Sequence, residues 1–331
     1  MVKSEIDKTH AGLTCVEICA GAGGQALGLE WAGFEALAHV EYDRHACATL
    51  RLNRPNWNVV EGDVRQFSGR EYKGIDLLAG GVPCPPFSVA GKQLGSGDER
   101  DLFPEALRLV DECRPKAIML ENVRGFLDAV FTDYRRNLKM QLLEMGYDAS
   151  WHLLNASDFG VPQLRPRVVV VAIRKDLAKN FYPPMPLTDG LPTKTVGEAL
   201  GDLMAANGWE NALAWASNAN EIAPTLVGGS KKHGGADLGP TRARNAWASL
   251  GVNGKSLAES APPKGFKDMP RLTLRMTARI QGFPDSWQFT GGKTAAYRQI
   301  GNAFPPPVAR AVAHRIKDAI IASHSSKKRA S

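Results

Sequence analysis

Read for where apolar and polar residues fall, the first half of the chain alternates between two periods. In "TCVEICA" (14–20), Val16, Ile18 and Ala20 recur at every second position, which predicts a strand. "GAGG" (21–24) interrupts it, and Leu27, Trp31 and Phe34 then follow at helical spacing. Further short apolar runs, "EALAHVEYD" (35–43), "WNVVEGD" (57–63), "GIDLLAGG" (74–81) and "KAIMLENV" (116–123), predict four more strands. "RVVVVAIR" (167–174) is a nearly continuous β-branched run, the pattern of a strand buried on both faces. Strands separated by helical stretches predict a mostly parallel sheet flanked by helices.

The alternation fails near residue 180. "FYPPMPLTDGLPTKT" is proline-rich and reads as a domain edge. Glycine, proline and basic residues dominate from there to about 270, and 228–244 is expected to lack regular structure. Helical order returns at the end. Val308, Val312, Ile316 and Ile320 form an apolar stripe, expected to pack on the first domain. The tail "SSKKRAS" is expected to be disordered.

Composition changes this picture in three respects. With 44% hydrophobic and 23% charged residues, 331 residues suit a soluble globular protein of one large or two modest domains. No apolar run reaches the roughly 18 residues that span a bilayer, and "MVKSEIDKTHAG" lacks a secretory core, so a cytoplasmic protein is expected. The five cysteines show no paired spacing, and neither CxxC nor HExxH occurs, so neither a disulfide framework nor a metal site is expected. Residues 222–280 hold ten Lys or Arg against three Asp or Glu, which accounts for the whole net charge of +7. Positive charge gathered in one stretch suits a polyanionic partner as well as a solvated face.

Candidate chemistry gathers at the strand ends. "EICAGAGG" lies at a strand-to-helix junction, where free N–H groups and glycines admit a ligand. Glu41 follows Gly21 by 20 residues, the spacing of an acid that binds ribose hydroxyls. Asp63, after the third strand, can accept from an exocyclic amine. Three strand ends thus converge on an adenosine-sized ligand, for which S-adenosylmethionine fits better than a nicotinamide cofactor. "GGVPCPPFS" (80–88) holds Cys84 between prolines, which fix the direction of a nucleophilic thiol. The glycines at 91, 95 and 97 suit a closing lid. Glu121 is a candidate proton donor, and Arg165 and Arg167 of "QLRPR" are candidates to grip a carbonyl or phosphate. No histidine has the surroundings of a cysteine-hydrolase base.

These blocks, "EICAGAGG", "GGVPCPPFS", "ENV", "QLRPR", "RLTLRMTARIQGFPD" and "QIGNAFPPPVA", resemble the DNA cytosine-5 methyltransferases over nearly the whole chain. The compact length looks like the bacterial modification enzymes of restriction–modification systems. The resemblance implies a Rossmann-like S-adenosylmethionine-dependent methyltransferase fold with a smaller, irregular target-recognition domain. It places the catalytic and cofactor domain at 1–180 plus 294–331 and target recognition at 181–293. It implies Cys84 as the nucleophile on carbon 6 of a flipped cytosine and Glu121 at ring N3 and the amino group. Arg167 falls on the base carbonyl, with Arg165 supporting it or a phosphate. Cys19, Gly21, Gly23, Gly24, Glu41, Tyr42, Asp63, Val64 and Asn302 fall in the cofactor site. Cys19 stands where the family commonly has phenylalanine, so Tyr42 is expected to supply adenine contact. Ser88, Arg100, Thr225, Lys231, Lys232, Arg242 and Arg244 are the expected DNA contacts, with Thr225–Leu226 as the Thr-Leu element. Partners implied are double-stranded DNA and a restriction endonuclease, around a monomer. A tRNA cytosine methyltransferase, a catalytically silent nucleic-acid-binding protein and a nicotinamide-dependent oxidoreductase are the rivals.

Overall fold

The computed structural model describes residues 12–83, 101–186, 193–229 and 235–328. Its centre is a seven-stranded sheet in the order β3-β2-β1-β4-β5-β7-β6. These strands are β1 (Leu13–Ile18), β2 (Phe34–Glu41), β3 (Val59–Glu61), β4 (Leu77–Gly81), β5 (Ala117–Val123), β6 (Tyr147–Asn155) and β7 (Pro166–Arg174). The first five pair in parallel, while β7 runs antiparallel to both β5 and β6. This is the mostly parallel, helix-flanked Rossmann-like arrangement.

Central strands bury both faces, so their sequence loses the two-residue alternation. Cys15, Val16, Glu17 and Ile18 of β1 are all wholly buried, and the apparent period there was incidental. One apolar cluster covers one side of the sheet with Val16, Leu78, Ile118 and Val170. Another covers the opposite side with Cys15, Leu77, Met119 and Val171.

Helix α1 (Gly24–Ala32) ends at Gly33, whose φ of 84° turns the chain into β2. Phe34 therefore opens a strand and does not continue the helical stripe. Helix α2 (Arg44–Asn53) starts at Asp43, whose side chain caps the N–H groups of His45 and Ala46. Helices α3 (Phe103–Cys113), α4 (Thr132–Glu144) and α5 (Lys175–Ala178) complete the first half. Strand β6 was missed in the sequence because Asp148, Ser150 and His152 break any run of apolar residues, while the apolar Leu153 is exposed.

The region expected to be irregular contains three helices, α6 (Val196–Ala205), α7 (Ala212–Asn218) and α8 (Thr241–Ser249). Thr195 and Glu198 form a reciprocal capping box at the start of α6. The start of α8 overlaps the stretch expected to lack structure, because Trp247 anchors it in a core of its own. That core gathers Leu200, Trp215, Leu226, Trp247, Leu272 and Tyr297. Helices α9 (Leu274–Ile280), α10 (Lys293–Asn302) and α11 (Pro306–Lys328) close the chain. Val308, Val312, Ile316 and Ile320 are buried against Leu29 and Ala32 of α1, as the stripe predicted. Helix α11 runs on to Lys328, into the tail expected to be disordered.

Candidate active site

The first turn of the site follows β1. Cys19 has a φ of 51°, in the left-handed region, which is uncommon for a residue with a Cβ. Gly24 admits the chain's C-terminal segment: a Cβ there would stand 2.2 Å from the carbonyl oxygen of Phe304. A Cβ on Gly23 would meet Trp287 and Leu50, so that side of the turn is packed against protein.

In front of the turn opens a cleft of about 980 Å³. Cys19, Gly21, Gly24, Glu41, Tyr42, Asp63, Val64 and Asn302 all line it. The Oε2 of Glu41 accepts from the Gly21 N–H at 2.7 Å. Its Oε1 accepts from the N–H groups of Tyr42 at 2.9 Å and Asp43 at 2.7 Å. Glu41 thus clips the end of β2 to the turn after β1. Burial raises its pKa, and these three donors offset only part of that rise. Asp63 accepts from the Arg65 N–H and from its guanidinium, both at 3.0 Å. Tyr42 is 68% exposed at the cleft, open to a flat ligand. The Cys19 thiol is pushed far up by burial and by the carboxylates of Glu41, Glu17 and Asp63, so it stays neutral.

Helix α10 brings Asn302 to the opposite lip, where its Nδ2 donates to the Gly229 carbonyl at 3.1 Å. Gly229 lines the cleft as well. Gly228 is packed so closely that a Cβ would lie 2.5 Å from the Asn302 Oδ1.

Glu121, Gly81 and Pro83 line the same cleft. The Oε1 of Glu121 lies 2.8 Å from the Nε of Arg167, an ion pair with each side chain 12% exposed. Burial lifts the Glu121 carboxyl above the usual carboxylate range, against the pull of Arg167 and Arg165. Such a group can carry a proton where an ordinary glutamate would not. The neighbouring Asn122 donates to the Val82 carbonyl at 2.9 Å and so holds the approach to the Pro-Cys loop. Cys84, which follows Pro83, lies outside the described residues with Ser88, Arg100, Lys231 and Lys232.

Arg165, expected to support Arg167 or hold a phosphate, has its guanidinium engaged within the protein. It is wholly buried, and its guanidinium donates to the carbonyls of Leu226 (2.9 Å), Gly301 (2.7 Å) and Ala303 (3.1 Å). Gln163 extends this clamp to Gln281 at 2.8 Å and accepts from the Leu226 N–H at 2.9 Å. Thr225 donates its hydroxyl to the Leu164 carbonyl at 2.5 Å. The Thr-Leu pair therefore rests on the "QLRPR" segment, beside the lip of the cleft.

Within the basic stretch, Arg242 is exposed on α8, and Arg244 is half-buried with its Nη2 on the Thr241 hydroxyl at 3.3 Å. Arg279 is not free for a phosphate, since Asp202 and Asp285 both pair with it. Sequence reasoning also missed Glu17 and Gln25, two buried polar side chains on the cleft wall. Gln25 directly follows "GAGG", a signal that was available. Among the described residues, no group of His, Cys, Asp or Glu is placed to hold a metal ion. No helix among them is long and apolar enough to cross a membrane.

The comparisons with known proteins agree with this geometry. The family model for C-5 cytosine-specific DNA methylase matches residues 13–318. The chain is 58% identical over 314 residues to the Type II methyltransferase M.NaeI of Lentzea aerocolonigenes, covering 93% of this chain and 75% of that protein. It is 57% identical over 310 residues to the Type II methyltransferase M.NgoMIV of Neisseria gonorrhoeae, covering 93% and 98%. In fold it is similar to the crystal structure of a putative DNA modification methyltransferase encoded within an Escherichia coli prophage. That match has a TM-score of 0.65 at 24% identity and covers 93% of this chain and 99% of that one. It is similar also to Spodoptera frugiperda DNMT2, with a TM-score of 0.63 at 17% identity, over 93% of this chain and 99% of that one. The chain belongs to the C-5 cytosine-specific DNA methylases and is a DNA cytosine-5 methyltransferase of the bacterial restriction–modification type.

Proposed function

We propose that the protein transfers a methyl group from S-adenosylmethionine to carbon 5 of a cytosine flipped out of a specific duplex sequence, through a transient bond to Cys84. One observation carries this reading: Glu121 lines the same cleft as Glu41 and Asp63, so a base and a nucleoside donor can meet there.

The cleft suits the donor. Glu41 can take the ribose hydroxyls, Asp63 the adenine amine, and the exposed face of Tyr42 the adenine ring. When bound, the donor supplies an electrophilic methyl group. Every other step belongs to the chain. The thiolate of Cys84 adds to carbon 6 of cytosine, while the Glu121 carboxyl gives a proton to ring N3. Arg167 holds the base carbonyl, while Arg165 ties the Leu226, Gly301 and Ala303 carbonyls together. Addition makes carbon 5 nucleophilic; after methylation, carbon 5 gives its proton to a base, the ring N3 proton returns to the Glu121 carboxylate, and the thiolate leaves. The base must leave the stack for carbon 6 to be reached, at a cost of a few kcal/mol. Phosphate contacts from the basic stretch offset that cost and make binding salt-dependent.

Residues 1–180 with 294–331 serve catalysis, and 181–293 serve target recognition. The working unit is a monomer in the cytoplasm, bound to the nucleoid through DNA and paired with a restriction endonuclease. The two bacterial relatives at 57–58% identity favour DNA over tRNA. The test is a duplex carrying 5-fluorocytosine within the methylated site. A stable adduct mapped to Cys84 by mass spectrometry is expected; turnover of target DNA with no adduct at Cys84 overturns the reading. Bisulfite sequencing of plasmid from expressing cells identifies that site.

A further inference from the structure

Between Val252 and Leu257, both buried in the core around Trp247, the chain displays the turn "NGKS" (253–256). Backbone bonds hold it from both sides. The Gly254 carbonyl accepts from the Leu238 N–H at 3.0 Å, and the Asn253 N–H donates to the Pro270 carbonyl at 2.8 Å. The Asn253 Oδ1 accepts from the Lys255 N–H at 3.1 Å and tightens the turn. Lys255 is exposed at its tip. Arg271, exposed on the neighbouring segment, donates from Nη1 to the Ser256 hydroxyl at 2.8 Å. On the other side Gly254 admits the stem of Arg244: a Cβ there would stand 3.1 Å from the Arg244 Cγ.

These three cations form no ion pair among the described residues. Other arginines are neutralised: Arg54 meets Glu30, Arg108 meets Glu105 and Glu112, and Arg174 meets Asp176. Even within 222–280, Arg279 pairs with Asp202 and Asp285. Of the three acids in that stretch, Asp237 accepts from the Gly239 N–H and Glu259 pairs with Lys293, which leaves Asp268. Like charges gathered without counter-charge repel one another, so folding alone gives no reason to place them together. A path of contacts joins the turn to the lip of the cleft. Gly229 accepts from Asn302, Val227 lies beside Gly239, and Leu238 holds Gly254. A duplex whose base reaches Glu121 lies against that lip, carrying one negative charge per about 1.7 Å of its axis.

We infer that Lys255 and Arg271 form, with Arg244, a ridge that holds the phosphate backbone of the DNA beside the target base. The Lys255 ammonium and the Arg271 guanidinium donate to phosphate oxygens, and neither reads a base. This assignment rests on the reading of a duplex with its base in the cleft. It gives Lys255 and Arg271 one duty, affinity without sequence preference.

The test follows two duplexes by fluorescence anisotropy between about 50 and 200 mM salt, one carrying the methylated site and one lacking it. Lys255→Gln and Arg271→Gln are each expected to weaken both duplexes by the same factor, about tenfold at the lower salt. Each should also reduce the slope of log affinity against log salt by about 1. Arg271→Lys keeps the charge and is expected to keep the slope. Lys175→Gln removes an exposed charge beyond the other end of β7, away from the cleft, and is expected to leave the slope unchanged. An unchanged slope in Lys255→Gln, an equal shift in Lys175→Gln, or weakening confined to the duplex with the site overturns the assignment. Failure of the unaltered protein to bind either duplex removes the reading of DNA in the cleft, and the ridge with it.

Discussion

Glu121 and Arg167 hold each other at 2.8 Å at the wall of the cleft, on two antiparallel neighbours of the sheet, β5 and β7. The pair does not fully neutralise the strain of burial, since the Glu121 carboxyl still titrates above its ordinary range. A carboxyl whose folded pKa is raised binds its proton more tightly in the folded state than in the unfolded one. Its share of stability is complete below the unfolded value of about 4.3 and declines as pH rises towards the folded value. Glu121→Gln mimics the protonated form at every pH. Urea denaturation should therefore show the variant gaining on the wild type as pH rises above about 4.3. Methyl transfer should fall by roughly 10²-fold or more, the worth of a positioned acid. A variant that loses ground as pH rises would contradict the direction of the shift.

Cys84→Ser should abolish methyl transfer and leave affinity for the donor nearly unchanged, because the contacts proposed for the donor lie along Glu41, Asp63 and Asn302, which line the cleft. Stopped turnover with intact calorimetric binding is the expected result. Appreciable turnover would refute a covalent role.

Asp63 serves two ends. It caps the 3₁₀ turn Val64–Gln66 and presents its carboxylate to the cleft. Asp63→Ser keeps an oxygen for the cap but withdraws the carboxylate. Donor affinity should fall about tenfold, or roughly 1.4 kcal/mol, with little change in melting. Asp63→Ala should lose the same affinity and melt lower. DNA binding in a gel assay should survive both; its equal loss would indicate misfolding.

Arg165 and Arg167 stand two residues apart with opposite duties. Arg165→Met strands the carbonyls of Leu226, Gly301 and Ala303 in the interior. Loss of such a buried charge-assisted cluster costs about 3–5 kcal/mol, measurable by urea denaturation. Arg167→Lys should cost far less stability and lower the rate instead. A stable, inactive Arg165→Met protein would reverse these roles.

Gly228→Ala places a methyl group 2.5 Å from the Asn302 Oδ1 and 2.8 Å from the Arg298 carbonyl. Relief requires the 225–229 segment to move off α10. A destabilisation of about 1–3 kcal/mol is expected, with weaker donor binding. An unchanged donor affinity would separate this segment from the cleft.

The sheet was legible in the sequence wherever a strand is continuous and buried, as in Val168–Val171, and at the strand ends that carry Glu41 and Glu121. Strand β6 was not, because it sits at the sheet edge and its outward residues obey solvent. The helices at 196–249 were hidden by glycines and prolines around them, although the Thr195–Glu198 capping pair announces α6. The cleft residues could be named from motifs, but not the contacts that hold them. Whether Arg165 supports Arg167 or meets a phosphate could not be read from the sequence, which shows charge and not burial. Gln25 and Glu17 were overlooked because sequence does not show which polar side chains the fold buries on the cleft wall.

The cradle between α1 and the segment that leads into α11 joins residues far apart in the sequence. Gly24 abuts Phe304, and Gly28 would carry a Cβ only 2.5 Å from that of Ala309. The wall holding Gly21 is translated early, and the wall holding Asn302 on the order of tens of seconds later. A nascent chain therefore exposes one wall of the cleft before the other exists. A product cut short before Asn302 and Phe304 lacks that second wall, and a fragment ending there is expected not to bind the donor.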